Sequence, residues 1–183
     1  MAKKDSYSEY LKKEFSNLFE TLELDDKQKH YLRSRWLEQI LWMEGRANRA
    51  RDRYYQLRLT TIIGGIIVPI LIGLNINNKP LDSYRKGLTI TLSGIVAISS
   101  AVEEFFHYGE RWKHYRRTAE TLKSQGWELF QLSGSYVNYK NHEQAFRYFA
   151  GNVEDIIQKD VEVYMTKVIQ ENKKQEENKL PET

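Results

Sequence analysis

The chain has 183 residues and carries 28 basic against 25 acidic side chains, a net charge of +3, with no cysteine. So small an excess of positive charge leaves no general footprint for nucleic acid, and the missing thiols exclude disulfides, thiolate catalysis and cysteine-zinc sites. The mean hydropathy of -0.66 reads as that of a water-soluble protein, but it averages two uncharged runs with strongly polar flanks.

In chain order, residues 1–25 come first. MAKKDSYSEYLKKEF lacks the apolar core of a signal peptide, so a later apolar run is expected to act as an uncleaved anchor. Tyr7, Leu11, Phe15, Leu18 and Leu22 recur at helical spacing and predict an amphipathic helix. Asp25-Asp26 ends it, and Asp25 followed by Gln28 forms a capping box for the next helix. Over 26–58, Leu32, Trp36, Ile40, Met43, Ala47, Ala50, Tyr54 and Leu57 alternate at steps of 3 and 4, close to a heptad seam. No proline precedes Pro69, so one helix is expected over 27–74, roughly 70 Å long.

Residues 59–102 form the centre of the pattern. Leu59 to Asn78 is a run of 20 uncharged residues, LTTIIGGIIVPILIGLNINN, and Gly87 to Val102 is a second, of 16. Crossing ~30 Å of hydrocarbon takes roughly 17–25 apolar residues, so the first run qualifies and the second is at the lower limit. Joined by NNKPLDSYRK they read as a two-span membrane hairpin; the alternative is a hairpin buried inside a soluble helical protein. Arg46, Arg49, Arg51, Arg53, Arg58, Arg111, Lys113, Arg116 and Arg117 flank the spans, nine charges against three in the loop (Lys79, Arg85, Lys86). That bias puts both termini in the cytoplasm.

Residues 103–172 return as stalk and bundle. Phe105, Tyr108, Trp112, Tyr115, Ala119, Leu122, Gly126 and Leu129 repeat the 3/4 spacing and predict a second stalk, antiparallel to the first. A break at Leu132 to Ser135 and Asn138 to Asn141 precedes a last helix over 142–172, with Phe146, Ala150, Val153, Ile157, Val161, Tyr164 and Val168 on one face. This helix is expected to pack with the N-terminal one. The tail, 173–183, has no core-forming content and is expected to be disordered.

The basic-flanked hairpin, RWKHYRRTAETLKSQGWELFQLSGSY (Arg111 to Tyr136) and AFRYFAGNVEDIIQKD (Ala145 to Asp160) resemble bacterial two-span membrane proteins of unknown function related to the SLATT effector domains, over about residues 26–170. The resemblance implies a membrane effector, in some members a pore-forming one.

Enzyme chemistry finds no foothold: there is no nucleophile–base spacing, phosphate loop or HExxH, and GGIIVPILIG lies inside a span rather than in a strand–turn–helix. No cofactor is expected. The second span carries a polar line, Thr89, Ser93, Ser100 and Glu104, whose oxygens suit a cation pathway or close helix packing. Two helices cannot enclose a pore, so conduction requires at least four chains. Glu103 and Glu104 lie at the inner edge of the hydrocarbon, where an acid is costly and marks a candidate ion-binding position; pairing with Arg58 is the alternative. Asn75, Asn77, Asn78 and Asp82 are either an outer mouth or turn residues. Calcium is the cation that clustered carboxylates suggest.

Gly65, Pro69 and Gly73, four apart, make a thin packing face or a hinge. Glu103, His107, Glu110 and His114 share a face that reads as solvated charge or as metal-ligand spacing, with His107 a candidate pH sensor. Arg46, Arg49 and Arg53 form a basic stripe suited to anionic lipid head groups. The expectation is thus an all-α, two-span protein of a bacterial membrane, homo-oligomeric, either a cation-conducting pore lined by the second span or a non-conducting scaffold or partner-triggered effector. Its partners are lipid, cations and its own copies, with no nucleic acid.

Overall fold

The computed structural model describes residues 2–75 and 78–177, with side chains over 7–75 and 78–163. Within those residues every regular element is a helix. The helices are α1 (Ala2–Thr21), α2 (Asp26–Tyr31), α3 (Glu38–Gly73), α4 (Lys79–Phe106), α5 (Tyr108–Phe130) and α6 (His142–Glu177). A π-helical turn, Leu32–Leu37, joins α2 to α3, and a 3-10 turn, Gly134–Tyr136, stands between α5 and α6. The chain divides into two compact units, Met1–Glu44 with Arg116–Thr183, and Gly45–Tyr115.

The first unit is organised by aromatic packing. Asp25 caps α2 as the sequence implies: its Oδ1 accepts from the Gln28 amide at 2.7 Å, and Gln28 Oε1 accepts from the Asp25 amide at 3.0 Å. The π turn widens the helix at Trp36, which is fully buried and donates its indole N–H to the Leu122 carbonyl at 2.9 Å. Phe15, Phe19, Phe130 and Phe149 surround it with ring centroids 5.1–6.2 Å away. Gly126 is what lets α5 approach, because a methyl there would overlap the Trp36 ring. Leu32, Ile40, Leu122, Leu129, Val153 and Ile157 complete the core.

Two polar links cross this unit. The buried Glu44 accepts from Arg116 at 2.9 Å and from the buried Lys123, and Glu120 closes the ring with Arg116 at 2.9 Å. Burial alone would depress Lys123, but the Glu44 carboxylate outweighs it and holds the ammonium above its ordinary range. In the second link Glu154 receives Arg35 at 2.6 Å and the Tyr31 hydroxyl at 2.8 Å; the Arg35 hydrogen bond keeps its carboxyl below the usual value. Burial pushes the Tyr136 hydroxyl, which donates to Gln125 Oε1 at 2.6 Å, up to about 12.

The second unit holds the hairpin. The seam of 26–58 passes into the first span unbroken: Tyr54, Leu57, Thr61, Gly64, Val68 and Leu71 are covered while their neighbours on the far face are exposed. The facing seam on α4 is Asp82, Arg85, Thr89, Leu92, Val96, Ser99 and Glu103. The two helices approach most closely at Gly64, where a methyl would overlap Val96 Cγ2. Helix α3 runs through Pro69 to Gly73.

Several expectations are corrected. Lys79 to Lys86 is not a loop: Pro80 occupies the first turn of α4, where its missing N–H costs nothing. Asp82 there pairs with Arg85 at 2.6 Å and Lys86 at 2.8 Å across one helical turn. The second span and second stalk are two helices, because His107 adopts the left-handed conformation (φ 48, ψ 44) between them. The reason is phase. The α4 seam ends at Glu103 and would next use 106 or 107 and then 110, whereas α5 uses Tyr108, Trp112 and Tyr115. Phe105 therefore falls outside both seams and is 66% exposed. Tyr7 and Val161 are exposed rather than core. Helix α6 extends to Glu177, since residues 173–177 are good helix formers. The expected positions of Tyr164 and Val168 side chains and of 178–183 lie outside the described residues.

Candidate functional site

Both hairpin helices pass the length and composition test for a membrane span. The best 18-residue windows have mean hydropathies of 1.7 and 1.4, and only 6% of each is buried. A core helix of a soluble protein would be mostly covered. Here Ile62, Ile63, Ile66, Ile70, Leu88, Ile90 and Ile98 all stand exposed.

The polar line divides in two. Thr89 lies on the inner seam and Ser93 on its flank, both half-covered; each donates its hydroxyl to the carbonyl four residues back, Arg85 and Thr89, at 2.8 Å. Ser100 and Glu104 lie one residue past the seam positions Ser99 and Glu103 and are exposed. The buried hydroxyl of this helix is that of Ser99. Glu103 is half-covered, and among the described residues neither acid is paired with Arg58.

Asp82 does not present an open carboxylate, since both of its oxygens are held by Arg85 and Lys86. Arg85 in turn donates to the Leu71 carbonyl at 2.7 Å, giving a partner to one of the carbonyls in the last turn of α3. Asn75 and Asn78 are exposed and Asn78 makes no side-chain cap bond; Asn77 lies outside the described residues. Gly65 and Gly73 have open space where a side chain would go, so the thin contact is made by Gly64, not by that set. The left-handed joint at His107 breaks the spacing of Glu103, His107, Glu110 and His114, and among the described residues no three such groups gather.

The basic stripe is part of a larger arrangement. Arg46, Arg49 and Arg53 on α3 and Tyr108, Arg111 and Tyr115 on α5 share the same 0, 3, 7 register, and with Ala50 they line one hollow of about 210 Å3. No acid lines it. Arg53 donates to the Tyr108 hydroxyl at 3.1 Å and its guanidinium stands 5.6 Å from that ring centroid. Beside the hollow, Tyr54 stacks on Trp112 with centroids 6.3 Å apart, and Gly109 lies where a side chain would meet Tyr54 at 2.9 Å. Reading the stripe on α3 alone missed Tyr108, Arg111 and Tyr115. Their matching register was the available signal.

The class so defined is an all-α protein with a helical hairpin apolar enough to cross a membrane. A family model described as a protein of unknown function, DUF4231, matches residues 38–144, more than half of the chain, and the chain belongs to that family. The match spans α3, α4, α5 and the turn after them. No curated protein and no solved structure matches the chain.

Proposed function

We propose that the chain is an integral membrane protein of two spans whose copies assemble into a cation-conducting pore. The observation that carries the reading is the hairpin's outer surface, a continuous field of exposed isoleucine and leucine interrupted on α4 by Ser100 and Glu104. Water does not tolerate so large an apolar field on one chain. Lipid does not tolerate the carboxylate at the span's edge. Assembly of at least four chains with Ser100 and Glu104 turned to a common axis satisfies both, leaving the isoleucines to lipid and concentrating cations at a ring of acids. The lysine and arginine bias places both termini in the cytoplasm. The relation to bacterial two-span SLATT effectors belongs to this same reading, as does the absence of a catalytic role.

A second reading has its own support. The hydroxyls of Thr89 and Ser93 are satisfied within α4, which suits a dry interface rather than a wet pathway, and so a non-conducting scaffold or an effector switched by a partner. The deciding experiment is ion flux into liposomes containing the purified protein, with the oligomer mass determined in the same detergent. Flux altered by Glu104→Gln and not by Glu103→Gln supports the pore. A defined oligomer without flux supports the scaffold, and a monomer soluble without detergent overturns the membrane reading.

A further inference from the structure

The hollow on α3 and α5 shares no residue with the polar line of α4, and its chemistry is specific. Four arginines of one chain line a concave surface to which no acid contributes. Like charges held this close repel, and a cleft lined by one sign of charge focuses its field on whatever counter-ion enters. Arginine offers a planar fork of donors suited to two oxygens of one group at once, which lysine cannot match. Tyr108 and Tyr115 complete the lining, and the bond from Arg53 to Tyr108 fixes one guanidinium in place. Among the described residues Arg49 and Arg111 have no side-chain ion pair, one on each helix. At about 210 Å3 the space is below the ~300 Å3 at which drug-sized ligands begin, so it takes a compact anion and leaves any larger substituent outside.

We propose that Arg46, Arg49, Arg53 and Arg111, with Tyr108 and Tyr115, form a binding site for a phosphate group, carried either by a lipid head group or by a soluble ligand. The site goes beyond the pore reading and does not depend on it. Arg53 precedes the first uncharged residue of the span, Leu59, by six positions, or ~9 Å of helix. A head group could therefore reach the hollow if the hairpin crosses a bilayer, while a soluble phosphate could reach it regardless.

The test is calorimetric titration of the full chain in neutral detergent. Pyrophosphate is one titrant and mixed micelles containing phosphatidylglycerol are the other, with phosphatidylcholine micelles as the blank. Saturable binding of pyrophosphate identifies a soluble phosphate as the ligand, and binding of phosphatidylglycerol alone identifies the head group. In either case the Arg49→Gln/Arg111→Gln double variant should bind at least about tenfold more weakly, from the loss of two charge-assisted contacts. The Arg49→Lys/Arg111→Lys variant, which keeps the charge, should recover only part of that loss. Arg117→Gln, which removes one positive charge outside the hollow, should bind as the unaltered chain does. Helicity measured by circular dichroism guards against misfolding. The proposal is overturned if neither titrant binds saturably, or if Arg117→Gln weakens binding as much as the double variant.

Discussion

The two compact units solve opposite packing problems. In the first, four aromatic rings close around one indole, and the few buried charges are matched within the unit. In the second, a single line of contacts joins two helices, and nearly every large side chain off that line is exposed. The same 3/4 spacing runs through both. What differs is how many faces of each helix are covered, and spacing reports one face only. A heptad seam therefore identifies partners but does not say what solvent lies beyond them.

The largest break in this contrast is expected at Trp36. Trp36→Ala removes the centre of the first unit and its hydrogen bond to Leu122, and should cost ~3–5 kcal/mol in chemical unfolding. Glu44→Gln leaves the buried Lys123 with only the half-exposed Glu120, 3.3 Å away, as countercharge and should cost up to about 3 kcal/mol. The Lys123 link has its own pH signature. Because the folded value is raised, its stabilisation is full below the ordinary value of 10.5 and is lost as pH rises through the folded one. Unfolding followed from neutral to strongly alkaline pH checks this, and the Glu44→Gln chain should show a smaller alkaline loss.

Within the hairpin, Gly64→Leu should overpack the contact with Val96 and cost ~1–3 kcal/mol, whereas Gly65→Leu enters open space and should have little effect. Thermal unfolding of the two variants in one detergent separates them, and equal losses would contradict the seam. Replacing His107 by glycine should stabilise the chain by ~1 kcal/mol, by removing the steric cost of a left-handed side chain. The smallest effect is expected at Glu154. Its carboxyl is held below 4.5, so its stabilisation is present above that pH and fades as the solution is acidified through the folded value. The pair is largely exposed, which limits Glu154→Gln to under ~1 kcal/mol at neutral pH.

Much of the first unit was legible. The seam residues from Leu32 to Met43 are buried as their spacing implied, and the Asp25 box forms as written. Phe19 escaped because it lies one step off the spacing followed on α1, and only the ring cluster shows that this helix is covered on a wider face. In the hairpin the seam was followed as far as Leu57 and then abandoned for a search by residue type. Continuing it by 4 and 3 reaches Thr61 and Gly64, whereas the search by type chose Gly65. The left-handed joint was hidden for a different reason: the α5 spacing extends backwards to Phe105 without a flaw, so periodicity alone gave no warning of a second phase. The hollow required two helices to be read together: Arg111 stood among the flanking charges and Tyr108 and Tyr115 in the apolar seam, so neither group pointed to the stripe on α3.

The joint at His107 makes the two connections to the hairpin mechanically unequal. Helix α3 is unbroken from Glu38 to Gly73, and a hydrogen-bonded helix behaves as a stiff shaft. On the return path the left-handed residue interrupts the i to i+4 ladder between α4 and α5, and a single pair of backbone angles there can absorb a rotation before it is passed on. One arm of the hairpin is thus a continuous rod and the other is jointed at its base.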